Sequence, residues 1–230
     1  MPPPIAAGKR VLLAVAAPAE AKAVAGAFEG TFAASPQGWR VTPLDDRFDM
    51  VETGVGKAAA AGAVARVLDT ERHGAVLSVG IAGALGAATR IGQVVLADRC
   101  DLVDDGVLSP DGFEDLERMG FGPFPGMTNG ALTDHALEEW LKPLADVIGP
   151  VATVSVCSGT DAGAQRWGGR GYVAEAMEGA AVALVCARTD VPFCELRVIS
   201  NTTGDRSSQT WDIRGALATL TRVLGRMRSL

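Results

Sequence analysis

Two isolated carboxylates and one polar break after a strand are the places in this chain where residue type and setting could do chemistry. Glu20 follows the apolar run at residues 10–16 and the turn Ala17-Pro18-Ala19, so it falls in the first turn of a helix, just beyond a strand's carboxyl end. The helix dipole favours a carboxylate there, and stabilisation of the terminus accounts for it as readily as a reactive role. Glu178 stands in Ala176-Met177-Glu178-Gly179-Ala180, among apolar neighbours at the start of a hydrophobic helix. A carboxylate in that setting must be dipole-stabilised, paired, or hydrogen-bonded to a ligand. The third place is residues 195–211. A buried strand over 191–199 breaks at Ser200-Asn201-Thr202-Thr203-Gly204-Asp205-Arg206 and restarts as a helix at Trp211. Arg197, Asn201, Asp205 and Arg206 bring two guanidinium groups, an amide and a carboxylate to this opening. Proteins of the α/β class place ligands where a strand's carboxyl end gives way to small polar residues before a helix. The same composition also suits an ordinary connection.

Glycines mark three further turns. Gly54-Val55-Gly56-Lys57 opens an Ala-rich helix reaching residue 68; the third glycine of a dinucleotide fingerprint is missing. Gly80-Ile81-Ala82-Gly83-Ala84 follows a buried strand at 75–80 and reads as a turn, whose backbone N–H groups either hold an oxygen-rich ligand or allow tight strand–helix packing. Ser158-Gly159-Thr160-Asp161 ends another strand at 151–157. Other chemistries lack material. The only histidines, His73 and His135, lie in polar, helix-like contexts. The four cysteines are scattered, as expected of reduced, mostly buried thiols in a cytosolic protein. A zinc site or a His-based triad is therefore not expected, and no metal or cofactor is called for.

These residues need a frame. Further strands are expected at 39–44, 48–53, 92–103 and 172–176, with helices at 18–28, 131–147 and 211–227. Strands alternating with helices predict one three-layer α/β domain over residues 10–230, behind a frayed tail at 1–9. The segment 104–129, rich in Gly, Pro and Asp with Phe113, Phe121, Phe124 and Met127, is long enough to be functional or intersubunit. Of the 230 residues, 48% are hydrophobic and 21% charged, a globular profile. The net charge of −6, with no Lys/Arg run, argues against a nucleic-acid groove or an anionic membrane surface as partner. No stretch is long and apolar enough to span a bilayer, and residues 1–8 are too short for a signal peptide, so a cytoplasmic location is expected.

The order of these motifs along the chain resembles the purine nucleoside phosphorylase and methylthioadenosine/S-adenosylhomocysteine nucleosidase superfamily. The succession is Glu20, Thr53-Gly54-Val55-Gly56-Lys57, Gly80-Ile81-Ala82-Gly83, Ser158-Gly159-Thr160, Ala176-Met177-Glu178-Gly179 and Arg197-Val198-Ile199-Ser200-Asn201. Within the superfamily the chain looks most like the futalosine hydrolase family of the alternative menaquinone pathway. The resemblance implies a mixed, partly barrel-like sheet flanked by helices, a homo-oligomer, and hydrolysis of a purine nucleoside's N-glycosidic bond. That reaction passes through a ribosyl oxocarbenium ion and needs a base for water, hydrogen bonds to the ribose hydroxyls, and a partner for the departing purine.

By resemblance, Glu20 matches the carboxylate that activates water, and Glu178 the one that grips the ribose hydroxyls, with Met177 packing on the sugar. Arg197 matches the arginine that orders the water and the carboxylates. Residues Gly80, Ile81, Ala82 and Gly83, and Ser158, Gly159 and Thr160, match the lining of the nucleoside pocket. Two positions depart from the adenine nucleosidases. Those carry Asp where this chain has Asn201, and an amide suits a 6-oxopurine such as hypoxanthine, donating to O6 or N7 and accepting from N1 or N7. They carry Ser where this chain has Ile81, which removes a side chain that could hold the water. Phosphorylases need an arginine cage near the position of Glu20, and a carboxylate there repels phosphate. Futalosine carries a benzoate-like group on the 5′ side of its sugar. Arg206 is a candidate for its carboxylate, and the apolar residues of 104–129 for its ring.

Overall fold

The apolar runs of the sequence become the middle strands of one mixed sheet, and the amphipathic segments become the helices that cover it. The computed structural model describes residues 2–29 and 38–230. In chain order the elements are β1 (Arg10–Val15), α1 (Pro18–Ala27), β2 (Val41–Pro43), β3 (Phe48–Glu52), α2 (Lys57–Val67), β4 (His73–Ala84) and β5 (Val94–Leu102). A hairpin of β6 (Gly106–Ser109) and β7 (Gly112–Asp115) follows, then β8 (Gly130–Leu132), α3 (His135–Leu141), β9 (Val147–Thr153) and α4 (Asp161–Gly168). The chain closes with β10 (Ala174–Ala176), α5 (Gly179–Thr189), β11 (Phe193–Thr202) and α6 (Ile213–Arg228).

The sheet runs β10-β9-β5-β11-β4-β1-β3-β2, with β8 added beside β5. Its far edge turns back: β10 also pairs antiparallel with the end of β4, Ala174 opposite Ala84 and Glu175 opposite Gly83. Strands β4, β11, β5, β9 and β10 therefore form a closed circuit, and β1, β3 and β2 extend from it as an open wing. This is the mixed, partly barrel-like sheet expected. Closure leaves those five strands without a free edge. The two larger apolar cores lie on opposite faces, and a smaller one gathers Leu85, Val103, Ala152, Val154 and Trp167. One of the larger pair packs β1, β4 and β11 residues such as Leu13, Leu77 and Leu196 against α1, α3 and α6. The other packs Leu12, Val76 and Ile199 against α2 and α5. Alternation along each strand sends successive side chains to the two cores, which gives three layers. Burying both faces is why these strands read as continuous apolar runs.

Several boundaries differ from the sequence reading. Residues 80–84 are not a turn; β4 continues through them, held by β11 on one side and β10 on the other. Likewise β11 does not break at Ser200 but runs to Thr202, taking in the first three residues of the polar cluster with a register shift between Ile199 and Asn201. Residues 131–147 are not one helix. Ala131 and Leu132 pair with β5, and Asp134 caps α3 by accepting from the Leu137 N–H at 2.9 Å. Pro143 then allows only a short 3-10 turn before β9. The hairpin of β6 and β7 lies inside 104–129, and α4 arises where no helix is expected, capped by the Thr160 side chain. His73 opens a strand and is buried. Of the leading segment, Met1 lies outside the described residues, and Ile5 packs against the α1/α6 core. Among the described residues no helix is long and apolar enough to cross a membrane.

Candidate active site

Glu20 is placed by α1 starting directly after β1, and its own carboxylate finishes the helix terminus. The Ala17 N–H donates to Oε2 at 2.9 Å, and the Ile81 N–H, from β4, donates to Oε1 at 2.8 Å. Both oxygens are thus oriented by backbone, although the side chain is buried. Burial raises the pKa of this carboxyl; the nearby Arg197 charge and the two N–H bonds work in the opposite direction.

Glu178 ends the link between β10 and α5. Its Oε1 accepts from the Gly56 N–H at 3.0 Å, which ties the glycine turn before α2 to the start of α5. Its Oε2 lies 3.4 Å from Arg197 Nη2. Arg197 comes from the middle of β11 and is only 1% exposed. Its Nε donates to Glu195 Oε1 at 2.7 Å and its Nη2 to Ser78 Oγ at 2.8 Å. Burial opposes its charge, but Glu195, Glu178 and Glu20 together outweigh burial and raise the pKa. Gly80 makes room for this arrangement: a Cβ there would fall 2.6 Å from Arg197 Nη1 and closer still to Glu20 Oε1. The guanidinium is therefore the hub behind the site rather than part of the open polar segment.

In front of these groups lies a cavity of about 350 Å³. Its walls include Glu20, Ile81, Ala82, Met177, Glu178 and Asn201, with Val55, Trp211 and Leu217 as apolar cover. A smaller recess of about 70 Å³ shares Gly83, Cys157, Glu175, Asn201 and Trp211 with it and adds Ser158, Gly159, Arg206 and Gln209. The register shift in β11 sets Asn201 opposite Gly83, where a Cβ would come within 3.2 Å of Asn201 Nδ2. Asn201 Oδ1 accepts from the Ser200 hydroxyl at 2.8 Å, and Nδ2 donates to Thr202 O at 2.9 Å. The Arg206 guanidinium stacks over Trp211, 4.7 Å from the ring centroid, and the Arg206 backbone N–H donates to Gly159 O.

The structure thus gathers Glu20, Glu178, Asn201, Met177, Ile81, Ala82 and Gly83 around one cavity, and Ser158, Gly159 and Arg206 around the adjoining recess. Gly80 and Arg197 stand behind the wall. Thr160 lines neither space; its hydroxyl accepts from the Gly163 N–H as the cap of α4. Of the apolar residues in 104–129, Phe124 is in the core, Phe113 faces Arg166, and Phe121 and Met127 are exposed; none lines either space. Two carboxylates carry no role in the sequence reading. Glu195 shares a strand face with Arg197 at i+2, which was a readable signal. Glu175 is a charged residue in a three-residue buried strand, also a signal. Among the described residues, no group of three His, Cys, Asp or Glu side chains is placed to hold a metal ion.

Residues 13–230 match the model of the phosphorylase superfamily. The chain is 42% identical over 219 residues to a futalosine hydrolase of Acidothermus cellulolyticus, covering 92% of this chain and 87% of that protein. It is 36% identical over 227 residues to a futalosine hydrolase of Streptomyces coelicolor, covering 94% of each. The fold is shared with the native structure of a futalosine hydrolase of Helicobacter pylori, with a TM-score of 0.77 at 18% identity over 96% of this chain and 98% of that one.

Proposed function

Since the chain belongs to the phosphorylase superfamily and, within it, to the futalosine hydrolases, we propose that it hydrolyses the N-glycosidic bond of futalosine and releases hypoxanthine. The observation that carries this reading is the wall of the larger cavity, where a backbone-oriented Glu20 and Glu178 share the space with an amide, Asn201. Glu20 takes a proton from the attacking water; its raised pKa strengthens it as a base once ionised. Glu178 accepts from the ribose hydroxyls, and its negative charge steadies the oxocarbenium ion. Met177 packs on the sugar. Asn201 donates to the purine, whose acceptor strength grows as electrons flow into the leaving base. Ile81 offers the water no side-chain partner, and Arg197 stands behind the wall, so Glu20 and backbone groups position the water. Arg197 acts through the two carboxylates it holds.

Hydrolysis is favoured over phosphorolysis because, among the described residues, the walls of the two spaces contain one cationic side chain, Arg206, and a carboxylate where a phosphate would need cations. With Asn201 reading the base, Arg206 in the shared recess stands near the base rather than at the 5′ end, which leaves the 5′ carboxylate to another group. A homo-oligomer in the cytoplasm belongs to the same proposal: Val55, in the cavity wall, is exposed, as are Leu108, Phe121, Met127 and Val156, an apolar set for a second copy to cover.

The test is release of free base from futalosine, aminodeoxyfutalosine, inosine and methylthioadenosine, with and without phosphate. Phosphate-independent release of hypoxanthine, fastest from futalosine, is expected. A requirement for phosphate, or methylthioadenosine as the best substrate, would overturn the proposal.

A further inference from the structure

Glu175 is 4% exposed, yet its side chain borders both the cavity and the recess. Its two oxygens are anchored from one direction. Oε1 accepts from the Ser158 N–H at 2.8 Å and Oε2 from the Ser158 hydroxyl at 2.6 Å. Among the described residues no cation pairs with it, and burial and the Asp104 charge raise its pKa against the two Ser158 hydrogen bonds. A buried carboxyl without a counter-ion is costly unless its remaining lone pairs find donors. Each of its oxygens retains acceptor capacity, and the space it borders is the one Asn201 borders.

The relation to Asn201 is close. Gly83 lies between them: a Cβ on Gly83 would stand 3.2 Å from Asn201 Nδ2 and 3.4 Å from Glu175 Cγ. The Asn201 carbonyl is occupied by the Ser200 hydroxyl, and one of its N–H groups by Thr202 O, so the amide has one N–H left for a ligand. The wall therefore presents a donor and an acceptor side by side, across a residue with no side chain to separate them.

We propose that Glu175 is a specificity-determining residue that accepts the ring N1–H of a 6-oxopurine while Asn201 donates to O6 of the same lactam edge. A 6-oxopurine carries N1–H next to C6=O, the complement of an acceptor beside a donor. A 6-aminopurine carries the reverse, a lone pair at N1 and an N–H₂ at C6. Against this wall its N1 would face carboxylate oxygen and its amino group would face the Asn201 N–H. Sites that leave buried polar groups unpaired against the wrong ligand discriminate most strongly. Asn201 alone reads one atom of the base; Glu175 adds a second, and a carboxylate cannot become a donor without binding a proton. This inference rests on the reading of the chain as a futalosine hydrolase and adds the residue that makes hypoxanthine the preferred base.

The experiment compares kcat/KM for futalosine and aminodeoxyfutalosine in the wild-type protein and in Glu175→Gln. The glutamine can donate to N1 of the amino substrate, so the preference for the oxo substrate should fall by about tenfold to a hundredfold. A role confined to anchoring Ser158 would lower both values together and leave the ratio unmoved, which would overturn the inference. A second measurement needs no variant. Wild-type protein should bind free hypoxanthine at least about tenfold more tightly than its 1-deaza analogue, in which C–H replaces N1–H. Equal affinities would overturn the inference even if Glu175→Gln does not fold. Wild-type protein that releases no hypoxanthine from futalosine would instead sink the proposed function, so the two failures are distinguishable.

Discussion

The wing of the sheet and the cavity behind β11 each bury a charge cluster, and the two are built with opposite signs. At the amino ends of β1, β3 and β4, one carboxylate meets three basic groups. Asp49 accepts from Arg10 Nε at 2.9 Å and Arg72 Nε at 2.7 Å, and His73 Nε2 lies 3.2 Å away. At the cavity, one guanidinium meets three carboxylates, Glu195, Glu178 and Glu20. In the first cluster the surplus charge has a way out, since the Arg72 side chain is 44% exposed. In the second cluster every member is buried, and three carboxyl groups share one guanidinium. The consequence is visible in the acids. Burial alone would raise Asp49, but hydrogen bonds from Arg72 and Arg10 outweigh it and hold the carboxyl below its ordinary value. Glu20 shares its single cation with two competitors and is left raised. A cluster with all its carboxylate satisfied serves stability; one that leaves a carboxylate under-compensated keeps a base for chemistry.

Removing the hub should have the largest effect. Arg197→Met leaves Glu195, Glu178 and Glu20 buried around an apolar side chain, and should cost about 3–5 kcal/mol of stability along with activity. Urea unfolding measures it. A loss under about 1 kcal/mol would mean that the three carboxylates compensate one another by binding protons.

Glu20→Gln comes next and should separate chemistry from stability. Turnover should fall by about 10²–10⁴-fold with substrate binding retained, as for loss of a general base. Removing a charge the fold disfavours is offset by the loss of one of the two backbone N–H bonds to an amide N–H₂ that cannot accept, so Tm should move little. Unaltered turnover would remove Glu20 from its role. Asp49→Asn should do the converse. Arg10 and Arg72 lose their anchor, at a cost of about 2 kcal/mol because both guanidinium groups can reach water. The kcat at a temperature well below Tm should not change, and a drop would show that the wing is coupled to the cavity.

The two clusters were unequally legible in the sequence, for a physical reason. Glu20 and Glu178 stand out because a carboxylate at the start of an apolar helix has few local partners, and Asn201 because it follows a buried strand. The Arg197 hub is harder to see. Its partners come from α1, β4, the β10–α5 link and β11, and only Glu195 is near in sequence. The cluster around Asp49 is not readable at all from local pattern; Arg10, Asp49 and Arg72 meet through parallel pairing of β1 with β3 and β4. Closure of the circuit is equally non-local. Three residues, Ala174-Glu175-Ala176, join β9 to the end of β4 at Gly83 and Ala84, and pairing with β11 carries residues 80–83 on as strand instead of the expected turn. Long-range pairing overrides the local turn preference of those glycines.

The smallest effect, and the one that divides the clusters most finely, is in pH dependence. A base must be ionised to accept a proton, so kcat/KM should fall as pH drops through the raised pKa of Glu20, with a midpoint above the ordinary value of 4.5. Asp49 titrates below its ordinary value of 3.8 in the folded protein. Its contribution to stability is therefore complete above the unfolded value of about 3.9 and is lost only as pH falls toward the folded value beneath it. Asp49→Asn should flatten the acid arm of the stability profile below about pH 4 and leave the kinetic midpoint where it is. Glu20→Gln should abolish the kinetic titration and leave that acid arm intact. A kinetic midpoint that moved in Asp49→Asn would mean that the charge at the amino ends of the strands reaches the cavity through the sheet, and the division between a cluster for stability and a cluster for chemistry would fail.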